Sequence, residues 1–404
     1  MDDVATSAPS RAGHQTVKRT RLRVVSAFVG LIGLGAGLYI SGSILAGSEW
    51  NPTVLLKFTD AHPEQMAYAV EMLDGVVPAS GEGHDGKYYF IQAMDPFYFA
   101  PDLHARMLEQ PSYRAQRMLY PTLAGGFGLF PPNFTAWALW GFNLAALGLG
   151  GWLTARLASE MGRSPWLGAV FFLTPGVLIS SLIDTADVVA LAFFVAGALM
   201  MMRRRYAPAA LLLALAALSR ETMLIGALGA VAWTWRTEKR IPPILGLPFV
   251  VTAGWWVYLR LRIGYLDDSV QDLSNIGLPF KGFYNAFQVW TSSPGHGEHM
   301  AFGVVLMVMS LLVVRRAWRS PSVLAYMTAG FSLVAVTMTV RVWNAYFDST
   351  RALVPVIPAY VLMVLAEGNK GEAKPMEATE QAQSAVGDQG PTSPVGPGNL
   401  NADR

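Results

Sequence analysis

Long blocks of uncharged, apolar residues recur along this sequence, and no other feature limits its fold so much. Residues 24–45, 136–155, 167–182 and 323–340 contain no Asp, Glu, Lys or Arg. A bilayer core of ~30 Å is crossed by ~20 mostly apolar residues in a helix, and these blocks approach that length. Over all 404 residues the bias appears as 52% hydrophobic and 14% charged, against ~25% charged in a soluble domain. The buried helical core of a soluble enzyme would explain one block, but not so many. The expectation is an all-α polytopic membrane protein with about ten transmembrane helices.

The net charge of +2 points to no nucleic-acid partner. With no cysteine in the chain, disulfides and thiolate metal sites are excluded. The first apolar block is longer than the core of a cleaved signal and follows a polar stretch, so it reads as a signal anchor. Lys18, Arg19, Arg21 and Arg23 precede it. By the positive-inside rule they hold the N-terminus in the cytoplasm, and the expected location is the cell membrane.

Residues 1–22 are polar and expected to be disordered. The transmembrane domain then covers 23–366, and its first extracytoplasmic loop covers 47–133. That loop is too rich in aromatic residues for a free linker; it should be partly helical and lie on the membrane. Helices follow at about 134–157, 166–183 and 186–202, with Arg156, Arg163 and Arg203 to Arg205 on the cytoplasmic side. Residues 207–236 read either as one long helix or as a hairpin of two short ones. The hairpin keeps Arg236, Lys239 and Arg240 on the side of Arg203, and it is the reading adopted. Further helices are expected at about 242–259, 300–314, 321–341 and 352–366. A second outer loop spans 260–298, with Asp267, Asp268, Lys281 and His296. The tail 367–404 is rich in Gly, Pro, Ser, Gln and Glu, and should be disordered and cytoplasmic.

Ionisable groups inside a membrane domain face wet cavities or one another. Under this topology Asp85, Arg114, Arg117, Asp184, Asp187, Arg220, Glu221, Asp348 and Arg351 all fall on the outer side. Guanidiniums make charge-assisted forked bonds to phosphate, which suits Arg220 and Arg351 to the phosphate of a lipid headgroup. A loop carboxylate could take a proton from an incoming hydroxyl. Together these groups suit transfer of a sugar from a lipid phosphate. A transporter or flippase of lipid-linked sugars is the alternative, but it should carry ionisable groups along a through-path.

Asp85-Gly86-x-Tyr88-Tyr89, Asp95-Pro96 and Tyr113-Arg114-x-Gln116-Arg117-x-Leu119-Tyr120-Pro121 make a pattern. It resembles the first outer loop of bacterial GT-C superfamily membrane glycosyltransferases, near the mannosyltransferase and cell-surface glycopolymer branches. Leu218-Ser219-Arg220-Glu221-Thr222 and Phe347-Asp348-x-x-Arg351-x-Leu353-x-Pro355 look like two further marks of that group. The resemblance implies a GT-C-like fold and a polyprenyl-phosphate sugar donor. It further implies a glycan, lipid or protein acceptor outside the cytoplasm and inversion at the anomeric carbon. It makes Asp85 the base, with the donor phosphate on Arg220 and Arg351. His84, Tyr88, Tyr89, Arg114, Arg117, Tyr120, Glu221 and Asp348 then surround the substrate, with Tyr88, Tyr89 and Tyr120 as a sugar-stacking wall. No Asp-x-Asp or Glu-x-Asp pair stands at Asp85, so no metal is assigned, although Asp85 and His84 could hold a divalent ion loosely.

Each of these residues also has a plain structural reading. Asp85-Gly86 is an ordinary turn pair, and Arg220-Glu221 could be an ion pair that locks the hairpin. Arg114 and Arg117 could meet headgroups or loop carboxylates, and Arg351 could snorkel at the interface. Asp184 and Asp187 read as turn and cap residues. His296 and His299 read as loop residues, and Trp137 and Trp140 as interfacial belt.

Overall fold

The computed structural model describes residues 11–264, 275–292 and 295–364. Asp267, Asp268 and the tail 367–404 lie outside these residues. Among the described residues the fold is all-helical, with one isolated antiparallel bridge, Ile276 to Met338, as the extended pairing.

The first helix, α1, runs Arg11–Ala46. It takes in residues 11–22, which the composition assigned to a disordered stretch. A helix already nucleated by the apolar block propagates cheaply into flanking residues of adequate propensity. After a loop segment that contains α2 (Gly86–Met94), the chain enters α3 (Pro132–Glu160). Pro132 occupies the first turn, where its missing N–H costs nothing. α1 lies very close to α3: a Cβ on Gly30 would stand 2.9 Å from the Gly148 carbonyl oxygen. Small residues allow such backbone contact between apolar helices.

The block expected as one helix at 166–183 is two pieces, Pro165–Leu173 and α4 (Pro175–Leu182), bent by 53°. Pro175 forces Thr174 into an extended conformation (ψ 121°). α5 (Asp187–Met202), α6 (Tyr206–Ser219) and α7 (Leu224–Glu238) follow. Glu238, the last residue of α7, bonds Arg204 at 3.2 Å and also Tyr206, the first residue of α6. The second helix therefore returns to the start of the first, and 206–238 is the hairpin. Its tip is Arg220 in an extended conformation, followed by the 3-10 turn Glu221–Met223.

α8 (Leu247–Ile263), α9 (Gly297–Arg319), α10 (Val323–Thr337), α11 (Tyr346–Ala352) and α12 (Val356–Met363) complete the body. The helix expected at 321–341 stops at Thr337. Met338 and the β-branched Thr339 are extended there (ψ 141° and 170°) and separate it from the helical turn Val340–Trp343. The Gly277 N–H bonds the Thr337 carbonyl, and the Thr339 N–H bonds that of Asn275. The helix expected at 352–366 divides at Pro355, which leaves Arg351 in the last turn of a separate short helix.

Among the described residues three helices are long and apolar enough to cross a membrane: Thr20–Ala46, Pro243–Ile263 and Gly297–Arg319. The bent pair 165–182 makes up to four. α3 has the length, 29 residues, but Asn143 and three tryptophans dilute its apolarity. α5, α6 and α10 have 16, 14 and 15 residues, or roughly 21–24 Å at 1.5 Å per residue, short of the ~20 residues a perpendicular crossing takes.

Contacts between elements define two ends of the body. At one end Arg203 pairs with Glu160 (2.6 Å) and Glu238 with Arg204. Arg23 and Arg156 line a cavity there with Arg203. At the other end the hairpin tip meets the loop segment and α11.

Candidate functional site

Asp85 immediately precedes α2, and Gly86 explains where it sits. A Cβ on residue 86 would lie 2.6 Å from the Ile183 carbonyl oxygen and 3.0 Å from those of Leu55 and Leu56. Glycine lets α2 start against the end of α4. A similar approach fixes Arg351: a Cβ on Gly176 would stand 2.4 Å from the Thr350 carbonyl oxygen, so α4 presses directly on α11. These two close contacts bring a carboxylate of the loop and a guanidinium of the C-terminal third together.

The Arg351 Nη2 donates to Asp85 Oδ2 at 3.1 Å, and its Nε donates to Asp187 Oδ2 at 2.9 Å. Asp85 Oδ1 accepts from Arg114 Nη1 at 2.8 Å. Arg220 pairs with Asp187 Oδ1. Ser180 and Thr185 hydroxyls donate to Asp187 at 2.8 and 3.0 Å. Arg117 forks onto Glu221, with Nε to Oε2 at 2.9 Å and Nη2 to Oε1 at 3.0 Å, and also donates to the Tyr113 hydroxyl. The Arg114 guanidinium lies 3.7 Å from the centre of the Tyr88 ring. Acid and base thus alternate along the series Arg114, Asp85, Arg351, Asp187, Arg220.

Beside this network lies a cavity of about 300 Å³ lined by Arg114, Arg117, Arg220, Arg341 and Arg351, with Asp85 and Asp348. Asp85, Arg220 and Arg351 therefore meet, as the sequence led one to expect. The pairing differs in detail. Glu221 does not lock the hairpin through its neighbour Arg220; it holds Arg117 of the loop, and Arg220 holds Asp187. Arg351 is 7% exposed, so it serves the cavity and does not snorkel.

Electrostatics separates the two aspartates. Burial alone would raise the Asp85 pKa, but the Arg114 and Arg351 guanidiniums outweigh it and hold the carboxyl well below the usual range. Asp348 lies between α10 and α12, outside both apolar helices. Burial raises its pKa, Arg351 opposes this, and Asp85 adds to it. Asp348 has no ion-pair partner within 4 Å among the described residues. The same is true of Arg341, which is exposed at the cavity rim.

The other expected site residues lie elsewhere. His84 faces a second cavity of about 550 Å³ with Lys57 and Glu82, and burial lowers its pKa, which favours the neutral ring. Tyr89 and Tyr120 are 3% and 0% exposed and pack edge to face. The Tyr120 hydroxyl donates to the Leu139 carbonyl at 2.9 Å and accepts from Asn143 at 2.8 Å. Tyr88 is covered by Arg114. The three rings are core, and none lines the arginine cavity; the expected sugar-stacking wall is not formed there. Asp184 sits in its turn with φ +46°, buried against Asn143. Asp95 accepts from the Phe99 and Ala100 N–H groups and from His104, which orders the loop. His299 accepts from the Tyr346 N–H.

Arg341, which lines the cavity, and Asp187, which pairs with two of the arginines that line it, were missed by sequence reasoning. Asp187 read as a cap, yet it joins two guanidiniums; an acid at the mouth of an apolar helix was the available signal. Arg341 was hidden at the end of a run taken as one helix. Among the described residues no group of three or more His, Cys, Asp or Glu side chains is placed to hold a metal ion, and both Asp85 oxygens already face guanidiniums. Comparison with models of known families, with curated proteins and with solved structures finds no match to this chain.

Proposed function

We propose that this chain is a membrane glycosyltransferase. It moves a sugar from a polyprenyl-phosphate-linked donor to a glycan, lipid or protein acceptor outside the cytoplasm, with inversion, in synthesis of a cell-envelope glycan or glycopolymer. The observation that carries this reading is the gathering of Arg114, Arg117, Arg220, Arg341 and Arg351 around one cavity. A phosphate oxygen is the ligand that such forked donors suit best. The leaving group in the reaction is a phosphate, already charged, so stabilising cations matter more than an acid.

A lipid-linked donor is further supported by an open apolar groove of about 390 Å³ lined by residues including Phe97, Met118, Leu218, Val251 and Trp255. Met118 follows Arg117, and Leu218 stands two residues before Arg220, so a headgroup in the cavity leaves its tail beside the groove. The basic clusters at Arg203 to Arg205 and Arg315 to Arg319 belong to the end away from the cavity. By the positive-inside rule that end is cytoplasmic in our reading, along with both termini. About ten crossings of the cell membrane follow if the short helices cross in tilted or paired form. A flippase has less support, because α5 joins the two ends through buried apolar side chains from Val188 to Met201.

The test is reconstitution in liposomes with a polyprenyl-phosphate hexose and a polyprenyl-phosphate pentose, each labelled in the sugar. Formation of a new glycoside, lost on Arg220→Gln or Arg351→Gln, supports the proposal. Movement of the intact labelled lipid between leaflets with no glycosidic bond made would replace it with the flippase.

A further inference from the structure

We infer that Asp348, and not Asp85, receives the proton of the acceptor hydroxyl. This rests on the transferase reading above and assigns a residue within it. Asp85 is the residue to which the loop pattern directs attention, but its two oxygens are already committed. Arg114 occupies Oδ1 at 2.8 Å and Arg351 occupies Oδ2 at 3.1 Å. A carboxylate between two guanidiniums has little affinity for a proton. Its geometry suits a different task, which is to aim Arg114 and Arg351 into the cavity.

Asp348 borders the same cavity and, among the described residues, has neither oxygen in an ion pair. It is partly buried, one turn ahead of Arg351 on α11, so it faces the anion site from the same helix. The charged groups acting on it are Arg351 on its own helix, Asp85 from the loop, Arg220 from the hairpin tip and Arg341 from the helical turn before it. Burial and the Asp85 charge favour its protonated form against the three guanidiniums, and burial prevails. A general base works best when its own titration is near the working pH, and of the two cavity aspartates Asp348 is the one moved in that direction.

The step balances without another reactant. The acceptor oxygen attacks the anomeric carbon and forms the new C–O bond. The bond from that carbon to the phosphate oxygen breaks, and its electron pair leaves with the polyprenyl phosphate, held by the arginines. The acceptor proton passes to the Asp348 carboxylate, which later loses it to water.

The experiment pairs two readouts on the full chain in liposomes: binding of a polyprenyl phosphate, and transfer of labelled sugar from the polyprenyl-phosphate donors. Asp348→Asn should bind the lipid phosphate within about twofold of wild type and transfer sugar roughly 100-fold more slowly, the low end for loss of a general base. Wild-type transfer should rise with pH as Asp348 ionises. That rise should vanish in Asp348→Asn and return, displaced, in Asp348→Glu. Transfer by Asp348→Asn at the wild-type rate, or an unchanged pH profile, overturns the assignment and leaves the transferase reading standing. Loss of lipid-phosphate binding together with transfer also overturns it, since Asp348 would then position the site. A wild-type protein that forms no glycoside from either donor removes the transferase reading, and the assignment falls with it.

Discussion

Arg351 joins Asp85 of the loop to Asp187 of α5 through two different nitrogens, and replacing it by Met tests how far the site holds the fold together. Met keeps the length and the apolar stem but removes the fork. At 3.1 Å and an effective dielectric of 20, one such pair is worth on the order of 5 kcal/mol before desolvation. Removing one partner of a buried pair costs ~3–5 kcal/mol when the remaining charge is stranded. Neither aspartate is stranded here, because Asp85 keeps Arg114 and Asp187 keeps Arg220. The expected cost of Arg351→Met is therefore reduced to about 2 kcal/mol. The assay is unfolding of the detergent-solubilised protein followed by tryptophan fluorescence, since the chain carries 12 tryptophans. A double-mutant cycle with Asp85→Asn should give a coupling of about 1–2 kcal/mol, within the range for residues in direct contact. Additivity to within ~0.5 kcal/mol would show that the two residues do not pair, and the cavity geometry would have to be abandoned.

Gly86→Ala should destabilise by about 1–3 kcal/mol, because its methyl group meets three carbonyl oxygens; a wild-type unfolding midpoint would contradict the close approach. Tyr120→Phe should cost about 1–2 kcal/mol and leave polyprenyl-phosphate binding unchanged, as its hydroxyl serves Leu139 and Asn143 outside the cavity; a binding defect without a stability change would reverse that view. Arg341→Gln should weaken lipid-phosphate binding roughly tenfold, or about 1.4 kcal/mol, with no change in unfolding, and reduced salt dependence of binding is its signature. Asp85 has a folded-state pKa below its unfolded value of ~3.9, so its stabilising contribution is present above that value and is lost as pH falls below it. Asp85→Asn should accordingly flatten the stability curve on the acid side of pH ~4, measured by the same fluorescence.

The helical class was legible in the sequence because apolar blocks without charge leave few alternatives. The hairpin at 206–238 could be read from the distribution of arginines, and the Glu238 contacts bear it out. Helix ends were less legible. Pro175 and Pro355 are visible breakers, yet the runs around them were joined by their apolarity. The end of α10 is set by a pairing with residues 275–277 that no local pattern announces. At the site, residue types told which groups matter and not who pairs with whom. The adjacency Arg220-Glu221 suggested a local pair, but an extended Arg220 sends the two side chains to separate partners. Tyr88, Tyr89 and Tyr120 carry no sequence mark that separates a packed ring from one facing ligand; only the fold around Leu139 and Asn143 decides it.

The contact between Asp85 and Arg351 spans 266 residues, and that separation constrains the order of assembly. At ~5–20 residues per second on the ribosome, Arg351 emerges on the order of tens of seconds after Asp85. Throughout that interval Arg114, made almost at once, is the only one of its two eventual cationic partners in existence. The early segment can thus shield its acid locally while it waits, and its docking is finished only when the chain has been made through residue 351.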